Sequence, residues 1–195
     1  MSLKDDDWLL TLSQGDNTET VQSLTGASVA ERLEDHPVDH FRKYWMQLGG
    51  NNTPERALFH PAGCARILTW MAVFDLVHLP DGSRTFRYRL IGEGIKQLYA
   101  YNPTGRLLED VVGGNALIER RSKFLAAIDK GCPQYAVGAV PVEGRDFLVV
   151  ANGVFPFLIG GEPRQVMLVA APEGVRLRTR TANTSPRTAL APTSA

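Results

Sequence analysis

Along Arg84–Ile91, Phe86, Tyr88 and Leu90 alternate with Arg87 and Arg89 at the two-residue period of a strand with one core face and one polar face. The preceding run, Met71–Leu79, is apolar and rich in β-branched and aromatic residues. It meets Pro80, Asp81 and Gly82, a turn signal that makes the two runs a hairpin. Gly92 and Gly94 break the second strand, a helical turn is predicted over Ile95–Ala100, and Asn102–Gly105 is a turn. Three further apolar stretches, Gln134–Val142, Arg145–Leu158 and Gln165–Ala171, are separated by VEGR and IGGEPR, whose glycines suit tight hairpin connections. They predict a three-stranded meander. Over Phe147–Val154 apolar residues occupy both alternating positions, so this central strand needs cover on both faces.

Helical periodicity occurs in two main places. Val38–Leu48 sets Phe41, Tyr44, Trp45 and Leu48 at i, i+3, i+4, i+7, one apolar and aromatic face, and Gly49 and Gly50 end the helix. Asn115–Asp129 carries Leu117, Phe124, Leu125 and Ile128 with charged residues between them, and Gly131 caps it. A shorter helix is predicted over Ser28–Glu34, with Ser28 as N-cap, Glu31 closing a capping box and Pro37 ending it. Pro61–Trp70 reads as a short helix or turn.

The chain divides into a mobile arm over 1–27, a helical cap over 28–50, a folded α+β domain over 51–175 and a disordered basic tail over 176–195. The tail holds Arg176, Arg178, Arg180 and Arg187 among Thr, Ser, Ala and Pro, with no acidic residue and too little apolar density to fold.

Composition narrows the function classes. With 195 residues, 44% hydrophobic and 22% charged, the chain can bury one sizeable core. Lys plus Arg equal Asp plus Glu at 21 each, so no overall field draws the protein to nucleic acid or an anionic membrane. Cys64 and Cys132 are far apart, with no CxxC and no Cys/His cluster, which argues against a disulfide framework or a zinc site and fits a reduced, cytoplasmic setting. The N-terminus is acidic where a signal peptide is basic, and no segment reaches the roughly 18 consecutive apolar residues of a membrane span.

Several residue groups could carry chemistry. His36 and His40 stand at i, i+4 in DHPVDH, but Pro37 interrupts a shared helix face, so capping or surface roles outweigh a metal. Cys64 with His60 imitates a nucleophile and base, yet no group to orient the histidine and no oxyanion hole is evident, so the expectation is a protein that is not an enzyme. GEG at Gly92–Gly94 lacks the third glycine and the lysine of a phosphate loop. Tyr88, Tyr99 and Tyr135 are candidates to point hydroxyls at a ligand. Asn152 is polar in an otherwise apolar strand, where its amide serves either a core hydrogen bond or a ligand. Arg87 and Arg89, opposite Tyr88 in the alternation, are expected to pair with carboxylates. The face made by Phe41, Tyr44, Trp45 and Leu48 packs either on its own sheet or against a second copy or a partner protein.

Tyr44 and Trp45 on a helix, then Arg56, then Phe59 and Pro61, a strand, Phe86–Gly92, and Tyr99 with Thr104–Arg106 follow in the order seen in one bacterial branch of the PAS superfamily. Over roughly 38–171 the chain resembles that branch. The resemblance implies a five-stranded antiparallel sheet flanked by short helices, with an N-terminal helical extension and a pocket between sheet and helices. It also implies a sensory or regulatory role, in which a small ligand or partner protein is bound and the signal passes through the N-terminal helices, often within a homodimer. Neither PAGCAR around Cys64 nor KGCPQY around Cys132 resembles the reactive-cysteine motif of flavin photosensors, which disfavours a flavin-cysteinyl adduct. Asn115–Asp129 has no histidine, which disfavours haem ligated from the long helix. The cofactor, if there is one, is unidentified. Two alternatives stay open: an interaction module whose core is filled by its own side chains, such as Phe147, Phe155 and Phe157, and a small enzyme using Cys64 and His60.

Overall fold

The computed structural model describes residues 22–99, 102–139 and 148–177. The elements are β1 (Gln22–Leu24), α1 (Gly26–Arg32), α2 (Pro37–Gly49), β2 (Met71–His78), β3 (Arg84–Ile91), α3 (Glu93–Tyr99), α4 (Gly114–Lys130), β4 (Gln134–Ala139), β5 (Val149–Ile159) and β6 (Glu162–Pro172). Single-turn or tight helical segments lie at Arg56–Leu58, Pro61–Trp70 and Leu108–Asp110. The strands form one antiparallel sheet in the order β1-β4-β5-β6-β2-β3. The protein is therefore α+β, as its sequence pattern implies.

The sheet has six strands, not five. The additional strand, β1, comes from the segment expected to be a mobile arm, and pairs Gln22, Ser23 and Leu24 with Val137, Ala136 and Tyr135. It gives the backbone donors and acceptors of β4 partners on that side, which a sheet edge otherwise lacks. Residues 1–21 of the expected arm, the VEGR connection and residues 178–195 of the tail lie outside the described residues. Of the tail, Leu177 is docked: its amide donates to Asp35 O at 2.8 Å and its side chain packs against the N-terminal helices' core.

The local signals explain the remaining elements. Helix α1 starts two residues before the expected cap, because Thr25 rather than Ser28 is the N-cap and its hydroxyl accepts from Ser28 N at 3.1 Å. Pro37 opens α2 at its first position, where the absent N–H is no loss. The β2–β3 hairpin turns at Gly82, and the two glycines at 160 and 161, both at positive φ, make the tight β5–β6 hairpin.

Two hydrophobic layers sandwich the sheet. On one side α3 and α4 cover Ala72, Phe74, Phe86, Tyr88, Val150, Val154, Val166 and Leu168. On the other, α1, α2 and the Pro61–Trp70 segment cover Val73, Tyr135, Val137, Ala151, Phe155, Phe157, Met167 and Val169. Strand β5 contributes to both layers, in line with the double cover its sequence demands.

Candidate functional site

The face under α1 and α2 is dry and aromatic. Phe155 is fully buried, with ring centroids of Phe41 at 4.8 Å, Tyr135 at 5.7 Å and Trp45 at 6.5 Å around it. The Trp45 indole N–H donates to Pro156 O at 2.9 Å, which satisfies the one polar group that its burial would strand. Phe41 and Trp45 therefore belong to this chain's own core and have no surface left for a second copy. Tyr44 and Leu48 are half-buried. The Tyr44 hydroxyl donates to His60 O at 3.1 Å and accepts from His60 N at 3.0 Å.

Tyr135 also belongs to this face. Its Cα partner across the sheet is Gly153, and directly opposed residues share a face, so Tyr135 points with Phe155 toward α2. Burial pushes its phenol well above the usual range. Tyr135 is thus separated by the sheet from Tyr88 and Asn152. The side chain of Tyr99 lies outside the described residues.

The opposite face, under α4, has a different chemistry. Ala136, Asn152 and Ala170 stand directly opposite one another on β4, β5 and β6, a row of two small side chains flanking an amide. Lys123 reaches that row from α4, and its Nζ donates to Asn152 Oδ1 at 3.3 Å. Both side chains are half-buried. Burial, reinforced by the nearby Arg120 charge and partly opposed by Glu119, draws the Lys123 amine down to about 8. Among the described residues, no carboxylate pairs with this ammonium.

One turn earlier on α4, Arg120 Nη1 donates to the Tyr88 hydroxyl at 3.5 Å, and the Tyr88 ring lies 4.5 Å from Phe74. Tyr88 and Asn152 share a face but not a neighbourhood, because β6 and β2 lie between their strands. Helix α4 is what links them.

Lys123 and Arg120 stand between apolar helix positions, where charged side chains are ordinarily solvated. Their spacing held a signal: Arg120, Lys123, Phe124 and Ala127 fall at i, i+3, i+4, i+7, so the two cations share the stripe of two core residues.

The other candidates have structural roles. His36 is fully buried at the start of α2, where Nδ1 accepts from Val38 N at 3.1 Å and Nε2 donates to Pro172 O at 3.1 Å. Burial lowers its pKa, so it is a neutral cap. Cys64 is buried with its thiol pushed up to about 11 by that burial, the reverse of an activated nucleophile. His60 is exposed. Arg89 pairs with Asp75 at 3.2 Å, and Asp75 also accepts from Gln165 at 2.6 Å. Among the described residues no three His, Cys, Asp or Glu side chains gather as a metal site requires, and no helix is long and apolar enough to cross a membrane.

Compared with protein-family models, characterised proteins and solved structures, the chain has no match.

Proposed function

We propose that this chain is a non-enzymatic, PAS-like sensory module. A small ligand on the α4 face of the sheet favours one packing of α2 on the opposite face, and a signalling partner or a second copy reads the outward side of α2. The observation that carries this reading is the double role of β5. Asn152 on one side meets Lys123, while the next residue, Gly153, lies under α2. A Cβ at Gly153 would fall 2.7 Å from the Phe155 ring and 3.0 Å from Val38 Cγ1. The absence of room over Gly153 supports a coupling in which a displacement of β5 is passed on to the packing of α2.

The mechanism is a population shift: a ligand moves the equilibrium only by its differential affinity for the two packings. The order of elements along the chain, a hairpin, short helices, one long helix and a three-stranded meander, supports the PAS-like assignment. The high thiol pKa of Cys64 supports a non-enzymatic role.

A second reading, an interaction module with a filled core, has its own support in the dry packing of Phe155 and Phe157. Native mass spectrometry with an absorption spectrum of the protein as purified separates the two. A bound small molecule of defined mass is the result expected of the sensor. Bare protein that stays bare after incubation with a metabolite extract would favour the filled module.

A further inference from the structure

The aromatic face under α2 changes character toward β3. Phe157, Gln165, Asp75 and Arg87 stand directly opposite one another on β5, β6, β2 and β3, a row that runs from a fully buried ring to an exposed guanidinium. The Arg56 guanidinium lies 4.7 Å from the centre of the Phe59 ring, and its Nε donates to Gln165 Oε1 at 2.9 Å. Gln165 is 2% exposed and extends the chain of contacts: its Nε2 donates to Asp75 Oδ1 at 2.6 Å, and Asp75 Oδ2 accepts from Arg89 Nη1 at 3.2 Å. A buried amide and one carboxylate thus hold two guanidinium groups in place.

The charge of this patch is unbalanced. Asp75 answers Arg89, but among the described residues no carboxylate pairs with half-buried Arg56 or exposed Arg87. Burial, then the Arg89 charge, draws the Arg56 guanidinium below the ordinary arginine range, opposed only by Asp75 and Tyr44. Leu58, in the same turn as Arg56, and Leu90, next to Arg89, are 47% and 53% exposed. On its outer side β3 already meets residues 105–107, with Tyr88 N donating to Arg106 O at 3.0 Å and Gly105 N to Tyr88 O at 2.7 Å, so this end offers a face rather than an edge. The occupant that fits is acidic, with apolar residues beside the acids.

The chain contains such a sequence. Asp5-Asp6-Asp7 runs directly into Trp8-Leu9-Leu10, within residues 1–21, where five acidic residues stand against one lysine. Residues 178–195 have arginines and no acid, so they carry the wrong sign. From Gln22 back to Asp7 the chain can reach up to roughly 50 Å. The strand spacings between β1 and β3 add to roughly 24 Å, well within that reach. We propose that residues 5–10 of the same chain dock on this face, with their carboxylates on Arg56 and Arg87 and their apolar side chains against Leu58 and Leu90. Because Gln165 already holds Arg56, the incoming carboxylates immobilise little that was free. This contact is independent of any ligand on the α4 face.

The Trp8 indole ¹⁵N–¹H signal of the full chain, assigned with Trp8→Phe, tests this against a synthetic peptide of residues 1–16. In the full chain the signal should stand apart from its position in the peptide. Arg87→Gln, which breaks no described ion pair, should bring it part of the way back, and about 1 M NaCl most of the way, since the Debye length there falls to about 3 Å. Asp5→Asn/Asp6→Asn/Asp7→Asn should shift the backbone amides of Arg87, Arg89 and Leu90 and leave those of α4 in place. That triple variant keeps every described contact, so its reading does not depend on a weakened fold. A signal coincident with the peptide's, β3 amides unmoved by the triple variant, or an indole that follows Arg178→Gln/Arg180→Gln instead of Arg87→Gln would overturn the proposal. So would an indole that moves with protein concentration, the mark of a second copy's segment rather than the chain's own.

Discussion

The two faces of one sheet are packed by different chemistry. Beneath α1 and α2, aromatic rings meet edge to face, and the buried indole has its partner in Pro156 O. Beneath α4, the aromatic cluster of Phe74, Phe86 and Phe124 covers only the β2–β3 end, and toward β5 the filling changes to small side chains, an amide and a lysine. A core built only for stability has no use for an ammonium whose pKa is drawn down to about 8 by burial. The contrast is why the function proposed above places packing on one face and recognition on the other, with β5 common to both.

The largest effect expected from breaking this contrast is on the aromatic face. Phe155→Ala should destabilise the fold by about 3–5 kcal/mol in denaturant titrations, through lost transfer energy plus a cavity ringed by Phe41, Trp45 and Tyr135. Gly153→Ala comes next, at about 1–3 kcal/mol, because its methyl group must displace the Phe155 ring or Val38. Its signature should be a shifted α2, read from the amide spectra of residues 38–48, rather than general loosening.

On the other face the sign reverses. Lys123→Met/Asn152→Val should stabilise the protein by about 1–2 kcal/mol at pH 7, after allowance for solvent screening of a half-buried amine. The pH dependence follows from the same shift. The folded-state pKa of Lys123, about 8, lies below its ordinary 10.5, so between those values the unfolded chain binds more protons and stability rises with pH. Below about pH 8 the penalty is present in full. Wild-type stability should therefore climb toward that of the double variant between pH 8 and 10.5, and a constant difference between the two across that window would refute the assignment.

Much of this architecture is legible in the chain itself. The Pro80-Asp81-Gly82 turn between two apolar runs makes the β2–β3 hairpin plain, and Phe41 and Trp45 mark the buried stripe of α2. Strand β1 is not legible, because three residues carry no period and its pairing depends on an edge supplied more than a hundred residues later. The candidate site was half legible. Asn152 stands out as an amide in an apolar strand, but the face that Tyr135 takes follows from cross-strand register, where a slip of one residue exchanges the two faces. Lys123 needs tertiary context, since a cation on a long helix is ordinarily solvated.

The central claim is that β5 transmits the state of the α4 face to α2. The most direct measurement is the ¹⁵N–¹H signal of the Trp45 indole, which reports its bond to Pro156 O, compared between wild type and Lys123→Met/Asn152→Val. Transmission through β5 predicts a displaced Trp45 indole together with shifted amides in α2. An unmoved indole, with changes confined to α4 and the Asn152 side of β5, would contradict it.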